Sequence, residues 1–292
     1  MKLIFVSLLL LVPWSINAQT VTWLRVDAPP FSLSQDEKQQ GICEAIIDSV
    51  IAQTPQFDHQ ILTLPQVRLR SYFEQGQNVC TPCLIKREDN SNVRFSISTN
   101  VYPPLRVITT SLKQKKLVTK YTVPLRLELL LSDKEFRYGQ SRGRKYTPWI
   151  QNLIHNIKGD DTVTFNYRAT DQAAALGDML INDRIDYGID YPFIADHYNQ
   201  LKGINVLTST TISGTEDDVI LGAIGCAQTA PNDFAQNFLE TINPILLNKI
   251  LPSEKYMNNQ KNWVGDYFDN FEQLYDHHIL NKKPATSAGL SH

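Results

Sequence analysis

The sequence has almost no excess charge and, after its first residues, no long apolar run. Its 28 lysines and arginines face 30 acidic residues, which gives a formal net charge of −2. A general nucleic-acid binder would carry a basic excess, so the composition argues against that class. Beyond position 12 the most apolar stretch, 219–227, is short and interrupted by glycines, so it predicts no transmembrane helix.

Two familiar motifs are also missing. The sequence has no H-E-x-x-H, and the P-loop spacing is not met from Gly139. No histidine lies at ligand spacing from a cysteine, so neither a metal nor a cofactor is predicted. General acid–base catalysis stays open, because it needs only one suitably placed carboxylate.

The first 18 residues predict a secretory signal peptide. Lys2 precedes an apolar run over 3–12, and a short polar segment then leads to cleavage after Ala18. The run is shorter than the ~20 apolar residues that a spanning helix needs. We therefore expect an exported, periplasmic protein. Residues 281–292 are small and polar and predict a flexible tail.

Four cysteines, Cys43, Cys80, Cys83 and Cys226, lie in the part expected to be exported. An even number in an oxidising compartment predicts two disulfides, with three possible connectivities. Cys80 and Cys83 also match the redox-active C-x-x-C pattern. In redox proteins that pattern opens a helix, whereas here it lies in NVCTPCLIK, which predicts a strand. The structural interpretation is therefore favoured.

Predicted strands alternate with predicted helices along the chain, which favours an α/β class with mainly parallel sheets. The predicted strands include VTWLRV, NVCTPCLIK, LRVITTSL, LRLELLL, IDYGIDY and INVLTST. There is no low-complexity linker, so two α/β lobes joined by crossing strands are expected. We predict a first lobe from 19–108 and 209–280 and a second lobe from 109–208.

The segment NDRIDYGIDYP carries two aspartates, Asp186 and Asp190. Four strand residues separate their Cα atoms by about 13 Å, which is too far for both carboxylates to share one reacting atom. Asp186 is predicted to anchor the turn through backbone hydrogen bonds. Asp190 ends its strand, where α/β proteins bind ligands, so it is predicted to contact a ligand. The alternative for Asp190 is a cap on the helix that begins near Pro192.

Several segments together resemble the extracellular solute-binding proteins of family 3. These segments are Val26–Phe31, Gly41 with Glu44, Ile85–Arg87, Val93–Ser96 and the run from Met179 to Pro192. The resemblance covers nearly the whole exported part and implies a two-lobed periplasmic binding-protein fold of type II. In that fold the first lobe contains both chain ends, and a ligand cleft separates the lobes.

The resemblance also implies a ligand site. Asp190 corresponds to the residue that takes a ligand amino group, Phe31 to an aromatic cover and Asp27 to a further polar contact. Arg87 is the candidate for the ligand carboxylate. However, the family pattern places its arginine where this sequence has Asp89, which argues against an ordinary α-amino acid ligand.

A basic segment, GQSRGRKYTPW, offers a second route to an acidic group. It carries Arg142, Arg144 and Lys145 directly before a helix capped by Thr147, and a helix N-terminus attracts anions. We include Arg142 and Tyr146 among the ligand candidates. The alternative interpretation of this segment is a solvated basic loop.

These observations predict a monomeric periplasmic protein that closes on a small polar solute, either amino-acid-like or amine-containing. Its partner would be the permease of an ABC transporter or a membrane sensor. One alternative is a periplasmic enzyme on the same fold, similar to cyclohexadienyl dehydratases. Another is an interaction module that has kept the fold and lost its ligand.

Overall fold

The fold is known from a computed structural model, which describes residues 18–26, 28–33, 40–87, 91–142, 144–159, 162–165 and 172–281. Apart from Ala18 the predicted signal peptide lies outside these residues, as do Asp27 and residues 282–292 of the predicted tail. Within the described ranges, no helix is both long enough and apolar enough to cross a membrane.

The first sheet has five strands in the order β2-β1-β3-β10-β4. They are β1 (Thr20–Arg25), β2 (Asp58–Thr63), β3 (Val79–Ile85), β4 (Val93–Tyr102) and β10 (Ile220–Ala227). The predicted parallel pairing holds for β2-β1-β3, whose strands follow one another through helices. β10 is antiparallel to β3 and β4, because β4 leaves this sheet for the second one and β10 returns from it.

Among the described residues, the α-helices around this sheet are α1 (Ile42–Gln53), α2 (Gln66–Glu74), α8 (Phe234–Ile245), α9 (Glu254–Val264) and α10 (Phe271–Tyr275). In α1 the residues at helical spacing, Ile42, Ile46 and Val50, are buried as their periodicity predicts. Trp23 of β1 and Phe238 of α8 are fully buried and pack edge to face.

The second sheet comes entirely from the middle of the chain. Its strands β5 (Arg106–Thr110), β8 (Tyr187–Asp190) and β9 (Leu207–Thr210) pair antiparallel in the order β8-β5-β9. A parallel pair, β6 (Gly139–Ser141) and β7 (Val163–Phe165), adjoins β8 through a bridge between Tyr138 and Tyr187. The surrounding helices are α3 (Ser111–Lys120), α4 (Leu127–Ser132), α5 (Pro148–Ile157), α6 (Gln172–Ile181) and α7 (Pro192–Lys202).

We call the elements around the first sheet the first lobe and those around the second sheet the second lobe. The predicted class, a two-lobed α/β protein, is confirmed by these two sheets. The chain passes between them from β4 to β5 and from β9 to β10. The predicted boundaries at 108/109 and 208/209 fall inside β5 and β9, so the limits of the lobes stay a prediction.

One predicted strand is wrong. LRLELLL alternates apolar and polar residues over its first half, yet Leu127–Ser132 forms α4. The buried side chains are those of Leu127, Leu130 and Leu131, at the i, i+3, i+4 spacing of a helix, while Leu129 is exposed. Such a short apolar run fits both periodicities, and packing against α5 decides between them.

The two predicted disulfides are confirmed, and the structure supplies their connectivity. Cys43 of α1 pairs with Cys83, and Cys80 pairs with Cys226 of β10. The two cysteines of the C-x-x-C segment therefore pair with different elements and not with each other. Both disulfides fix β3, one to the helix that covers it and one to its neighbouring strand.

Candidate functional site

An ion pair in the second lobe forms the centre of the candidate site. Nη2 of Arg144 donates to Oδ1 of Asp190 over 2.6 Å, and both side chains are largely buried. Asp190 ends β8, and Arg144 lies in the loop between β6 and α5. The same oxygen of Asp190 accepts from the backbone N–H of Tyr191, the residue before α7. Asp190 therefore contacts a cation and also the start of the helix.

Two tyrosine rings flank the guanidinium of Arg144. Its Cζ atom lies 5.2 Å from the ring centroid of Tyr191 and 5.7 Å from that of Tyr146. Both rings are almost completely buried. The hydroxyl of Tyr138 donates to the hydroxyl of Tyr146 over 3.1 Å, which fixes that ring. A cation at this distance from desolvated rings gains roughly 0.5–2 kcal/mol from each.

Burial and charge act in opposite directions on this pair. Burial raises the pKa of Asp190, and the positive charge of Arg144 opposes that rise. Burial alone would lower the pKa of Arg144, but the Asp190 carboxylate and the neighbouring tyrosines keep it above its ordinary value. The guanidinium of Arg144 therefore stays charged. Its positive charge stabilises the ionised form of the Asp190 carboxyl, so the cation beside Asp190 is part of the protein.

A small cavity lies beside the ion pair. Its lining consists of Gly139, Gln140, Ser141, Arg144, Tyr146, Leu176, Ile189 and Asp190. Nε of Arg144, a lining residue, is buried without a hydrogen-bond partner among the described residues, as are the hydroxyls of Tyr191 and Tyr102. Buried polar groups normally have partners, so a water or a polar group of a solute could satisfy them. In the described part of the chain, no group of three or more His, Cys, Asp or Glu could hold a metal ion.

Aromatic side chains from both lobes meet next to this cavity. Phe31 of the first lobe packs edge to face against Tyr191 and Phe193 of the second lobe, with ring centroids 5.8 and 5.5 Å apart. It also packs against Tyr102, which itself lies 5.3 Å from Tyr191. Nη1 of Arg87 donates to the backbone oxygen of Tyr146 over 3.4 Å, a second contact between the lobes. The lobes therefore touch across the candidate site.

The predicted ligand residues are brought together only in part. Asp190 and Tyr146 line the same cavity, and Phe31 contacts the residue after Asp190. Arg87 lies at the edge of the site through its bond to Tyr146. Arg142 is exposed and does not line the cavity, and Asp27 lies outside the described residues. Their roles as ligand contacts stay predictions.

The basic segment lies at the cavity, but through a different arginine from the predicted one. The sequence predicts Arg142 as a ligand contact, whereas Arg144 lines the cavity. The loop reverses after Ser141, whose backbone oxygen accepts from the N–H of Arg144. This turn directs Arg144 inwards while Arg142 stays in solvent. The spacing of charges along the sequence did not contain that information.

Asp186 has the anchoring role that its position in the turn predicts. Its Oδ2 accepts from the backbone N–H of Arg137 over 2.7 Å and from Nε of the same residue over 2.8 Å. Its Oδ1 lies 2.7 Å from Nζ of Lys113. Burial would raise the pKa of Asp186, but these cations hold it well below its ordinary value. Asp186 is thus part of the scaffold and is fully engaged away from the cavity.

No protein-family model matches the chain, and no curated protein matches it either. Solved structures do match. A substrate-binding protein of an ABC uptake transporter from Streptococcus pneumoniae, with bound histidine, shares 14% identity, covers 90% of this chain and 95% of its own, and has a TM-score of 0.62. A putative L-cystine ABC transporter protein from Listeria monocytogenes shares 13%, covers 87% and 99%, and has a TM-score of 0.60.

A sensor domain of a histidine kinase, described as similar to periplasmic binding proteins, matches as well. It shares 11% identity, covers 85% of this chain and 96% of its own, and has a TM-score of 0.59. At such identities the similarity shows the fold alone. The fold is that of the two-lobed periplasmic binding proteins, as the sequence predicts.

Proposed function

We propose that this chain, which has the two-lobed periplasmic binding-protein fold, is an exported solute-binding protein whose lobes close on a small polar solute beside Arg144 and Asp190. The observation that carries the proposal is the buried ion pair itself. It lies at the carboxyl end of β8, where α/β proteins bind their ligands, and next to a cavity that residues of the second lobe line. The aromatic contacts between the lobes, such as that of Phe31 with Tyr191, adjoin it.

The polar atoms around the cavity support a solute with an acidic group. Nε of Arg144 is a donor without a partner, and a guanidinium binds a carboxylate more strongly than a neutral donor does. In this proposal Arg144 binds the acidic group, the role that the sequence predicts for Arg87 or Arg142. The sequence predicts that Asp190 binds an amino group of the solute. Because Asp190 is already bonded to Arg144, the site has less need of such a group.

Two destinations for the solute fit the same closed shape. Delivery to the permease of an ABC transporter and reporting to a membrane sensor both require lobes that close around a ligand. Both kinds of protein occur among the structures that match this fold. Export through a cleaved signal peptide would place the protein in the periplasm with either partner, and its two disulfides suit that compartment.

A ligand screen by thermal unfolding tests the proposal. The purified protein is unfolded and refolded to remove any bound solute and is then mixed with small carboxylates, amino acids, polyamines or peptides. A solute at about 100 times its Kd should raise Tm by roughly 5–10 °C. We expect a hit that carries an acidic group, and we expect Arg144→Ala to abolish the shift.

Arg142→Ala is the matched control, because this arginine lies in the same loop but is exposed. It should leave the shift unchanged. A hit that depends on Arg142 and not on Arg144 would contradict the proposed site. Absence of any hit from folded protein would contradict the proposed function.

A second candidate function is favoured by the contacts between the lobes. Phe31 and Tyr102 pack directly on Tyr191 of the opposite lobe, so the cleft is already closed by side chains. A protein that needs no solute to close could act as an interaction module. An enzyme on this fold has no comparable support, because the carboxylate of Asp190 is bonded to a fixed cation.

A further inference from the structure

The surroundings of Arg144 have the composition of a binding site for a cation. A guanidinium sits between a carboxylate and two buried aromatic rings, with a 2.6 Å bond to Asp190 and distances of 5.2 and 5.7 Å to Tyr191 and Tyr146. Carboxylates and aromatic rings are the groups with which proteins hold guanidinium and ammonium ligands. Here the cation belongs to the chain.

Each wall of this site is held independently of Arg144. Asp190 is fixed by its position at the end of β8 and by its bond to the N–H of Tyr191. Tyr146 is held by the hydroxyl of Tyr138, and Tyr191 packs on Phe193 with ring centroids 5.1 Å apart. Removing the Arg144 side chain would therefore leave a shaped space with a buried carboxylate and two rings around it.

We propose that Arg144 is a built-in occupant of a cation site formed by Asp190, Tyr146 and Tyr191, and that it determines specificity by excluding free guanidinium and ammonium compounds from the cleft. The inference rests on the proposed function, in which this cleft is the solute site. It adds that the cleft rejects guanidinium and ammonium compounds and that Arg144 is the residue responsible.

The physical reason for exclusion is the difference between a tethered and a free cation. A free cation loses translational and rotational freedom on binding, whereas Arg144 is already attached to the site. A free cation would also have to displace the charge-assisted bond between Arg144 and Asp190, which is largely buried. The wild-type site should therefore stay occupied by Arg144 at millimolar concentrations of a small cation.

The experiment measures binding of methylguanidinium and methylammonium to the purified protein by thermal shift and calorimetry, with sodium chloride matching the ionic strength. We expect no saturable binding to wild type. Arg144→Ala should bind methylguanidinium saturably, with a rise of about 5–10 °C in Tm at about 100 times its Kd. The double variant Arg144→Ala/Asp190→Asn should lose this gain, and Arg142→Ala should never show it.

Two outcomes would overturn the inference. One is saturable binding of the cation to wild type with the affinity seen for Arg144→Ala. The other is absence of binding to Arg144→Ala when circular dichroism shows that it is folded. If Arg144→Ala does not fold, the side-chain ¹⁵N signals of Arg144 in wild type decide. Those signals should remain unchanged as methylguanidinium is added, and displacement of Arg144 would refute the exclusion.

The same measurements separate this inference from the proposed function. A wild-type protein that binds an acidic solute, together with an Arg144→Ala variant that binds no cation, leaves the function intact and refutes only the inference. The opposite result is a wild-type protein that binds nothing from the solute panel, together with an Arg144→Ala variant that gains cation binding. It would refute the proposed function and leave the cation site formed by Asp190, Tyr146 and Tyr191 intact.

Discussion

At the scale of single residues, the two aspartates of the NDRIDYGIDYP segment have different tasks because their surroundings differ. Asp186 is bonded to the backbone and side chain of Arg137 and to Lys113. Asp190 is bonded to Arg144 beside the cavity. The contacts of Asp186 join the start of β8 to the segment before β6 and to α3, so they stabilise the second lobe. The contact of Asp190 with Arg144 shapes the candidate site.

Replacing Asp186 should therefore cost stability. Breaking one partner of a buried pair costs about 3–5 kcal/mol, and because Arg137 is partly exposed we expect about 2–3 kcal/mol for Asp186→Asn. Urea unfolding at pH 7 measures this. Asp183→Asn is the control, since Asp183 contacts the same Lys113 and Arg137 but is exposed, and it should cost less than about 1 kcal/mol. Equal costs would contradict the anchoring role.

The pH dependence of that cost has a definite sign. The pKa of Asp186 is lowered on folding, so its contribution is fully present above the unfolded value of about 3.9 and is lost as pH falls towards the lower folded value. The difference between wild type and Asp186→Asn should thus be constant from pH 7 to pH 5 and should shrink below about pH 4. A difference that grew in acid would refute this assignment.

The sequence predicted much of the residue-scale picture and missed one part. The position of Asp186 in a turn and of Asp190 at a strand end follow from local patterns, and both descriptions match the contacts observed. The partner of Asp190 could not be predicted, because Arg144 approaches it across 46 residues of chain. A charged loop does not reveal which of its arginines is buried until the turn that precedes it is known.

At the scale of elements, periodicity located most segments and assigned one short apolar run to the wrong class. The helix α1 and the strand β3 are found where their patterns place them. The six-residue α4 was predicted as a strand, because alternation over a few residues also fits the first turn of a helix. In such segments the tertiary contacts decide, and these are not visible in the local sequence.

The packing of α6 on α7 depends on a single glycine. A Cβ atom at Gly177 would lie 2.2 Å from the ring of Tyr198, closer than any ordinary contact. That ring cannot move away easily, since it is buried and its hydroxyl donates to Asp178 over 2.7 Å. Only a residue without a side chain allows the two helices to approach this closely.

We expect Gly177→Ala to destabilise the protein by about 1–3 kcal/mol, the usual cost of overpacking, despite the better helix propensity of alanine. Thermal and urea unfolding measure it. Gly265→Ala is the matched control: Gly265 has helical angles, and its added Cβ would meet only the flexible side chain of Lys261. That variant should be neutral or slightly stabilised. Neutral behaviour of Gly177→Ala would show that α7 can shift.

At the scale of the whole molecule, the proposed function implies open and closed forms, and the contacts between the lobes would set the balance between them. Phe31 makes three edge-to-face contacts, with Tyr102 in its own lobe and with Tyr191 and Phe193 in the other. Such pairs contribute roughly 0.5–1.5 kcal/mol each beyond the area they bury. Open and closed forms of a two-state protein often differ by only a few kcal/mol. The two contacts across the cleft are therefore large enough to keep the lobes together without a solute.

Phe31→Ala should then open the protein in the absence of any ligand. A compact chain of this length has a radius of gyration of about 19 Å, and small-angle X-ray scattering should give a larger value for Phe31→Ala than for wild type. Phe57→Ala is the control, because Phe57 is also partly buried but packs against Phe238 within the first lobe. It should cost stability without changing the radius. If Phe31→Ala has the same radius of gyration as wild type, the aromatic contacts are a result of lobe closure and not its cause. The lobes must then be kept together by other contacts, such as that between Tyr267 and Asp196.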